Sequence, residues 1–321
     1  MILTGDLILE SAKRGISFPS NNANNLSDTD ILAFAYEEMV SKIMPIITSL
    51  RQEFLIAPSY TITIVSGTQR YRLPQRALGR ALRNLFYVDS SLVRRDLPMT
   101  KPEDIHKYMP ATDTEGVPQA FYIENDYIVL LPIPNQSSTT LEVTYPLRPS
   151  KIIKLNDSGV IQSAASSTGI IVLDSALSTI TTATACDIIS STSGNIVKKM
   201  AITPTSVSGA TVTFAASAFG TDVIADDYLC LAEESPVVQI PEEALVALAR
   251  ATQNRILESI DDLEGLKIGM DILNNEKTGL LTLLAQLLTP RVEGKPLVAK
   301  GAANRFFISG NRHGYFPRVR V

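Results

Sequence analysis

The sequence predicts an α+β protein: a helical bundle with a small antiparallel β-sheet unit, an inserted all-β domain (a barrel or sandwich), and an extended C-terminal arm. Three observations predict this class. Apolar residues recur at helical spacing at the start of the chain and again after Pro241, short alternating runs fill residues 60–149, and a Ser- and Thr-rich stretch lies between the two helical parts. With 321 residues the chain is long enough for two domains. We place the boundaries at 1–155, 156–235, 236–290 and 291–321.

The N-terminal part is predicted to be helical. A short amphipathic helix over 3–14 is followed by Ser27, which forms a capping-box pattern with Asp30 three residues later. Apolar residues then recur at helical spacing as far as Leu55. Pro45 should kink this second helix or divide it, because proline lacks the N–H that the helix needs.

Strands are predicted between residues 60 and 149 from β-branched content, alternation and turn residues. Two hairpins come first, and the first of them turns at Ser66-Gly67. The segment Gly116–Pro149 then supplies three strands of one sheet, and an Asn125-Asp126 turn joins the first two. The predicted strands are 60–65, 70–73, 85–88, 92–95, 120–124, 127–131 and 140–145.

The composition changes near Asn156. Over the next 80 residues Ser and Thr are frequent, two lysines are the only basic residues, and glycines separate short β-branched runs such as Ile170–Leu173, Ile196–Ile202 and Thr211–Phe214. Short strands with turn signals at this spacing are typical of a small antiparallel barrel or sandwich. We therefore predict an inserted β domain over Asn156–Ser235.

Helical spacing resumes after Pro241. A first helix begins there, and a second is expected over about 263–288, with Gly279 as a candidate break. Gly265 and Gly269 have the spacing that lets two helices approach closely.

Leucine doublets give the last helix a broad apolar face that must be covered, either by this chain or by a neighbour. The stripe of the N-terminal helix is either core or a second subunit contact. The predicted subunit interface comprises Leu280, Leu284, Leu287, Ile43 and Ile47.

The last 31 residues form a basic segment without helical period. They hold seven basic residues and one acidic residue, and since the whole chain carries −4, the remainder is about −10. A solvated tail and non-specific contact with phosphate are two interpretations. The aromatic residues favour a third, an arm that becomes ordered on another protein surface. The candidate binding residues are Arg291, Lys295, Lys300, Arg305, Phe306, Phe307, Arg312, Tyr315, Phe316, Arg318 and Arg320.

No residues in the sequence form a recognisable catalytic or cofactor-binding motif. His106 and His313 lie far apart, and the chain has no phosphate-binding loop, nucleophile elbow or zinc-binding pattern. The acidic pairs 226–227 and 233–234 lack EF-hand spacing and are interpreted as a solvated rim rather than a Ca²⁺ site. We predict no enzyme, no metal and no cofactor.

The two cysteines, Cys186 and Cys230, are interpreted as buried reduced thiols rather than a disulfide. The N-terminus lacks the basic start of a signal peptide, and the longest apolar run, Gly279–Leu288, is too short to cross a bilayer. These features predict a protein made in the cytoplasm, with no membrane partner.

The order of the predicted elements resembles that of a known family. The segments in question are YTITIVSGTQRYRLP, LFYVDSSLVRR, KPEDI, GVPQAFYIENDYIVLLPIP, LEVTYPLRP and IPEEALVALARATQNRIL. In this order they resemble the head-to-tail adaptor (connector) proteins of tailed bacteriophages, most closely those of short-tailed phages. The similarity covers about Leu26–Pro149 and Pro236–Pro290, while Asn156–Ser235 departs from the smaller members.

The resemblance implies a non-catalytic virion protein of the phage neck. Such a protein forms a ring of copies of itself, usually twelve, below the portal vertex, and it is made in the host cytoplasm. The ring extends the channel through which packaged DNA passes without sequence-specific binding, and a downstream tail or nozzle protein attaches to it. The C-terminal arm, matched by position and character, would bind the portal protein.

Two other functions fit parts of the sequence. The Ser- and Thr-rich β region is compatible with a tail or surface protein that binds a host receptor or glycan. An enzyme would require a buried carboxylate or histidine in a deep pocket, which the sequence does not indicate.

Overall fold

The computed structural model describes residues 3–14, 16, 26–51, 53–58, 60–111, 114–137, 139–192, 196–276 and 278–289. Both helices and antiparallel sheets are present, which confirms the α+β class. Residues Met1–Leu288 form one compact unit.

The described residues contain six α-helices, three before the sheets and three after them. A π-helical turn, Met39–Ile43, links the second and third helices, and 3-10 turns lie at Leu78–Arg80, Pro102–Lys107, Leu155–Asp157 and Glu242–Ala244. The helices are α1 Gly5–Lys13, α2 Asp28–Glu38, α3 Met44–Leu50, α4 Leu245–Ser259, α5 Leu263–Asn274 and α6 Leu280–Leu288.

The start of α2 has the predicted capping box. The Asp30 N–H donates to the Ser27 hydroxyl oxygen at 3.2 Å, and the Ser27 N–H donates to the Asp30 carboxylate at 3.0 Å. Pro45 divides the predicted long helix as expected, because it occupies the first turn of α3. In the preceding π-helical turn the Met44 N–H bonds to the Met39 carbonyl, five residues back.

Strands fill most of the chain between α3 and α4. In chain order they are β1 Tyr60–Thr63, β2 Arg70–Arg72, β3 Asn84–Val88, β4 Arg94–Asp96, β5 Glu115–Gly116, β6 Ala120–Glu124, β7 Tyr127–Leu131, β8 Ile133–Pro134, β9 Thr140–Thr144, β10 Lys151–Ile152, β11 Gly159–Ala165, β12 Ile170–Leu173, β13 Cys186–Ile189, β14 Val197–Ile202, β15 Ser206–Ser208, β16 Thr211–Thr213, β17 Tyr228–Leu231 and β18 Glu234–Ser235.

The strands before residue 150 form two main sheets, with orders β1-β9-β3-β4 and β2-β7-β6. The β3–β4 and β6–β7 hairpins are confirmed. The predicted β1–β2 hairpin is wrong, because the two strands pair in different sheets. The prediction that β6, β7 and β9 share one sheet is wrong for the same reason. Alternation indicates which face of a strand is buried, but it does not identify the neighbouring strand.

The strands after residue 158 form a seven-stranded antiparallel sheet in the order β14-β13-β17-β11-β12-β16-β15. Strand β11 belongs to both halves: residues 159–160 pair with β17, and 161–165 pair with β12. Within the described residues the sheet has two ends, β14 and β15, and does not close into a barrel. Short parallel strands β10 and β18 bring the two ends of this region side by side. The domain boundaries at 156 and 235 stay a prediction.

Two hydrophobic cores meet at strands β13 and β17. One lies among the helices and the first sheets, and the other lies within the seven-stranded sheet. Successive side chains of a strand point to opposite faces, so Ile188 and Cys186 enter the second core while Ile189 enters the first. Cys186 faces Leu231 across the ladder, whereas Cys230 faces Asp187 and enters the first core. The two thiols therefore lie on opposite faces of the sheet, buried and unbridged, as predicted.

The C-terminal helices divide where Gly279 indicated, since α5 ends at Asn274 and α6 begins at Leu280. Gly269 allows α5 to approach α4, because a Cβ placed there would overlap the Oδ1 atom of Asn254. Gly265 has a different role: its N–H donates to the carboxylate of the capping residue Asp262 at 2.9 Å.

Candidate assembly surfaces

Four of the five predicted interface residues are covered, wholly or partly, by this chain. Ile43 and Ile47 are fully buried in the first core, Leu284 is 2% exposed, and Leu280 packs partly buried against that core. Leu287 is 64% exposed. Of these five side chains, Leu287 therefore has the most surface available to another molecule, and the assignment of all five to a subunit interface stays a prediction.

A larger exposed apolar surface lies on α5 and α6. Its six side chains are between 40% and 68% exposed. We call this the C-terminal apolar surface, and it comprises Leu263, Ile268, Met270, Ile272, Leu283 and Leu287. Sequence reasoning assigned the last turns of α6 to an interface but missed α5. The missed signal is that the apolar face of α5 is broad, leaving one polar strip with Glu264, Lys267 and Asp271, whereas a helix buried on one side needs only an apolar stripe.

Ion pairs connect the C-terminal end of α1, the N-terminal end of α2 and the residues just before the inserted region. Asp28, in the first turn of α2, forms ion pairs with Lys13 and with Lys154, the latter at 2.6 Å. The hydrogen bonds from Lys13 and Lys154 lower the pKa of Asp28 below its ordinary value. Asp28 therefore connects the last turn of α1, the first turn of α2 and residue 154.

A buried ion pair joins the two cores. Asp187 is fully buried on β13, and Arg76 pairs with it from the loop after β2. The same carboxylate accepts hydrogen bonds from the N–H groups of Ala201 at 2.8 Å and Glu233 at 3.0 Å. Arg76 also donates to the Ser150 hydroxyl at 2.8 Å. Every one of these contacts compensates the burial of a charge.

The interpretation of the acidic pairs as a solvated rim is wrong for Asp227. This residue is fully buried, accepts hydrogen bonds from the N–H groups of Ser191 and Ile224, and pairs with Lys198 at 2.7 Å. Asp226 and Glu233 are exposed, and Glu234 is half-buried. Local sequence could not distinguish Asp227 from its neighbour, because its lysine lies 29 residues away on β14.

A cleft of about 740 Å³ lies between β1 and β14. Two lysines and two arginines line it, at positions 198, 199, 72 and 76. Of these, Lys198 is paired with Asp227 and Arg76 with Asp187. Burial raises the pKa of the lining residue Tyr145 to about 12, so its hydroxyl stays protonated near neutral pH. The described lining residues thus offer no nucleophile with an oriented base beside it.

The remaining candidates for chemistry are isolated. His106 lies on an exposed 3-10 turn with its Nδ1 atom 3.0 Å from the Glu103 carbonyl. Burial raises the pKa of Cys186 to about 11 and that of Cys230 well above its ordinary value, which leaves both as unreactive thiols. Within the ranges that the structure describes, no three His, Cys, Asp or Glu side chains converge as they would around a metal ion.

The basic arm falls outside the described residues, as does His313. The role of its eleven candidate binding residues stays a prediction. They are Arg291, Lys295, Lys300, Arg305, Phe306, Phe307, Arg312, Tyr315, Phe316, Arg318 and Arg320.

Comparison with known families identifies the chain. The model of the SU10 adaptor protein family matches residues 5–173, which is more than half of the sequence. The chain belongs to the SU10 adaptor protein family. No curated protein matches it. The match begins at the first residue of α1 and ends at the last residue of β12, so it extends into the predicted insertion.

Membership in the SU10 adaptor family supports a structural head-to-tail adaptor role in a bacteriophage virion. An adaptor binds other virion proteins, which agrees with the exposed apolar surface on α5 and α6. Among the described helices, none is both long enough and apolar enough to cross a membrane.

Proposed function

We propose that this SU10 adaptor family member forms a ring, twelvefold by analogy with head-to-tail connectors, below the portal vertex at the virion neck. The ring extends the channel for packaged DNA, which passes without sequence-specific binding, and presents its far side to a downstream tail or nozzle protein. We further propose that the virus is short-tailed. The family match over residues 5–173 is the observation that carries this proposal.

The C-terminal apolar surface supports self-assembly. Six apolar side chains that are between 40% and 68% exposed on two adjacent helices are costly to leave in water. In a ring of identical copies each copy contacts its two neighbours through two different faces. The ring closes when the rotation from one copy to the next divides evenly into a full turn. This surface supplies one face.

The basic arm supports portal binding. Residues 291–321 hold seven basic residues and four Phe or Tyr residues, a composition suited to lying on an acidic protein surface with aromatic anchors. This part of the proposal rests on the sequence.

The test combines the full-length protein with its portal protein and counts subunits in the complex by electron microscopy. We expect a ring on the portal for the full chain, and no portal binding after deletion of residues 291–321. The deletion variant should keep the circular dichroism and thermal midpoint of the parent, because unit Met1–Leu288 is untouched. Portal binding retained by the deletion variant would refute the role of the arm, and a trimeric particle that binds glycans would refute the ring.

A further inference from the structure

A second exposed apolar site lies at the turn between β3 and β4. Leu92 is 83% exposed and Val93 is 51% exposed. We call residues 89–95 the hairpin tip. Strand β4 is the outermost strand of its sheet, so the tip lies at the edge of that sheet.

Local hydrogen bonds fix the backbone conformation of the hairpin tip. The Asp89 carboxylate accepts hydrogen bonds from the N–H groups of Ser91 at 2.8 Å and Val93 at 3.0 Å, and its backbone carbonyl accepts one from Leu92 at 3.0 Å. Leu92 has a φ of 61°, a left-handed conformation that costs a residue with a side chain about 1–2 kcal/mol. The fold thus holds a large apolar side chain in water in an unfavourable backbone conformation, which is reasonable if another surface covers it.

The charges of the hairpin tip and of α5 are complementary. Arg94 and Arg95 are 65% and 58% exposed, and each has a carboxylate nearby, at 3.0 and 3.7 Å respectively. A guanidinium has five N–H donors, so each arginine can bind a further acid. Around α5, residues 261–276 contain five exposed carboxylates and one lysine. None of the five carboxylates forms an ion pair with another described residue.

We propose that the hairpin tip of one copy docks on α5 of the next copy in the ring, with Leu92 against Ile268 and Ile272 and the two arginines beside the exposed carboxylates of residues 261–276. This rests on the proposed ring. A second copy is the occupant that the complementary charges favour, because every chain carries one basic tip and one acidic α5. The two lie in different layers, since β4 packs mainly on β3, and α5 on α4 and α6. Such a pair of unlike faces is what a heterologous contact requires.

The test is cross-linking in the assembled portal–adaptor complex. The variant carries Leu92→Cys and Ile268→Cys, and a short bismaleimide reagent joins thiols that lie near each other. The matched control carries Leu92→Cys and Val65→Cys, because Val65 is 54% exposed and Ile268 is 58% exposed. Native Cys186 and Cys230 are buried and do not compete.

We expect a ladder of covalent multimers from the 92–268 pair and none from the 92–65 pair. In addition, Leu92→Ser and Ile268→Ser should each weaken self-association about tenfold or more, without lowering the urea midpoint, because both side chains are exposed in the free chain. Rings seen by electron microscopy without a ladder would overturn this contact and leave the adaptor function intact. Ladders of equal strength from the 92–268 and 92–65 pairs would likewise overturn this contact and leave the adaptor function intact. The absence of both rings and ladder would overturn the contact and the proposed ring together.

Discussion

The buried ion pair between Arg76 and Asp187 should be a main determinant of stability. We consider the substitution Asp187→Ala. It removes the charge that compensates a guanidinium only 11% exposed, and it deprives the N–H groups of Ala201 and Glu233 of their acceptor. The Asp187 carboxylate is itself fully buried, whereas Arg76, Ala201 and Glu233 line the neighbouring cleft.

The expected loss is about 3–5 kcal/mol, the range found when one member of a buried pair is removed and the other stays charged. A conventional surface pair provides the control. Arg70 and Glu124 are separated by 2.8 Å but are 58% and 41% exposed, so Glu124→Gln should cost at most about 1 kcal/mol.

Urea denaturation is the appropriate assay, followed by far-ultraviolet circular dichroism and tyrosine fluorescence, because the chain has no tryptophan. The double variant Arg76→Met with Asp187→Ala removes both charges. We expect it to be more stable than the sum of the two single losses predicts, by about 1–3 kcal/mol, since neither charge is then left alone. A loss for Asp187→Ala no larger than that of the surface control, or strict additivity in the cycle, would refute this reasoning.

Three further predictions concern other parts of the fold. Gly269→Ala should destabilise the chain by about 1–3 kcal/mol through overpacking against Asn254, and adding Asn254→Ala should restore stability, both measured by thermal unfolding. Because Lys13 and Lys154 lower the pKa of Asp28, this carboxylate stabilises the fold above its unfolded-state pKa, and that contribution should disappear as the pH falls through the lowered folded-state pKa. Asp28→Asn should therefore flatten the acid limb of a curve of stability against pH, and an unchanged limb would contradict this. Cys186 and Cys230 should react with a thiol reagent only after unfolding, so rapid labelling of the native protein at pH 8 would contradict their burial.

Features set by neighbouring residues could be predicted from the sequence. The capping box at Ser27, the division at Pro45, and the β6–β7 hairpin at Asn125-Asp126 each depend on a few consecutive side chains. Asn125 has a φ of 55°, which asparagine tolerates better than most residues, and this is why the turn was recognisable. The Gly279 break between α5 and α6 belongs to the same class.

Features set by distant partners could not be predicted. Strand β1 pairs with β9 about 80 positions further along, while the following strand joins another sheet. Likewise nothing near Asp227 indicates that a lysine on β14 will neutralise it. The interface assignment of Ile43 and Ile47 shows the same difficulty, because a helical apolar stripe looks alike whether its own chain or a neighbour covers it.

The family match ends inside the folding unit, and the matched residues depend on strands that lie beyond the match. The match ends at Leu173, yet strands β11 and β12 obtain their other partners from β17 and β16, which lie beyond it. Strand β17 also supplies Cys230 to the first core. The matched segment therefore cannot bury its own apolar surface without residues up to 231. The later strands can therefore differ in sequence from those of other members only within the limit that they continue to cover the matched ones.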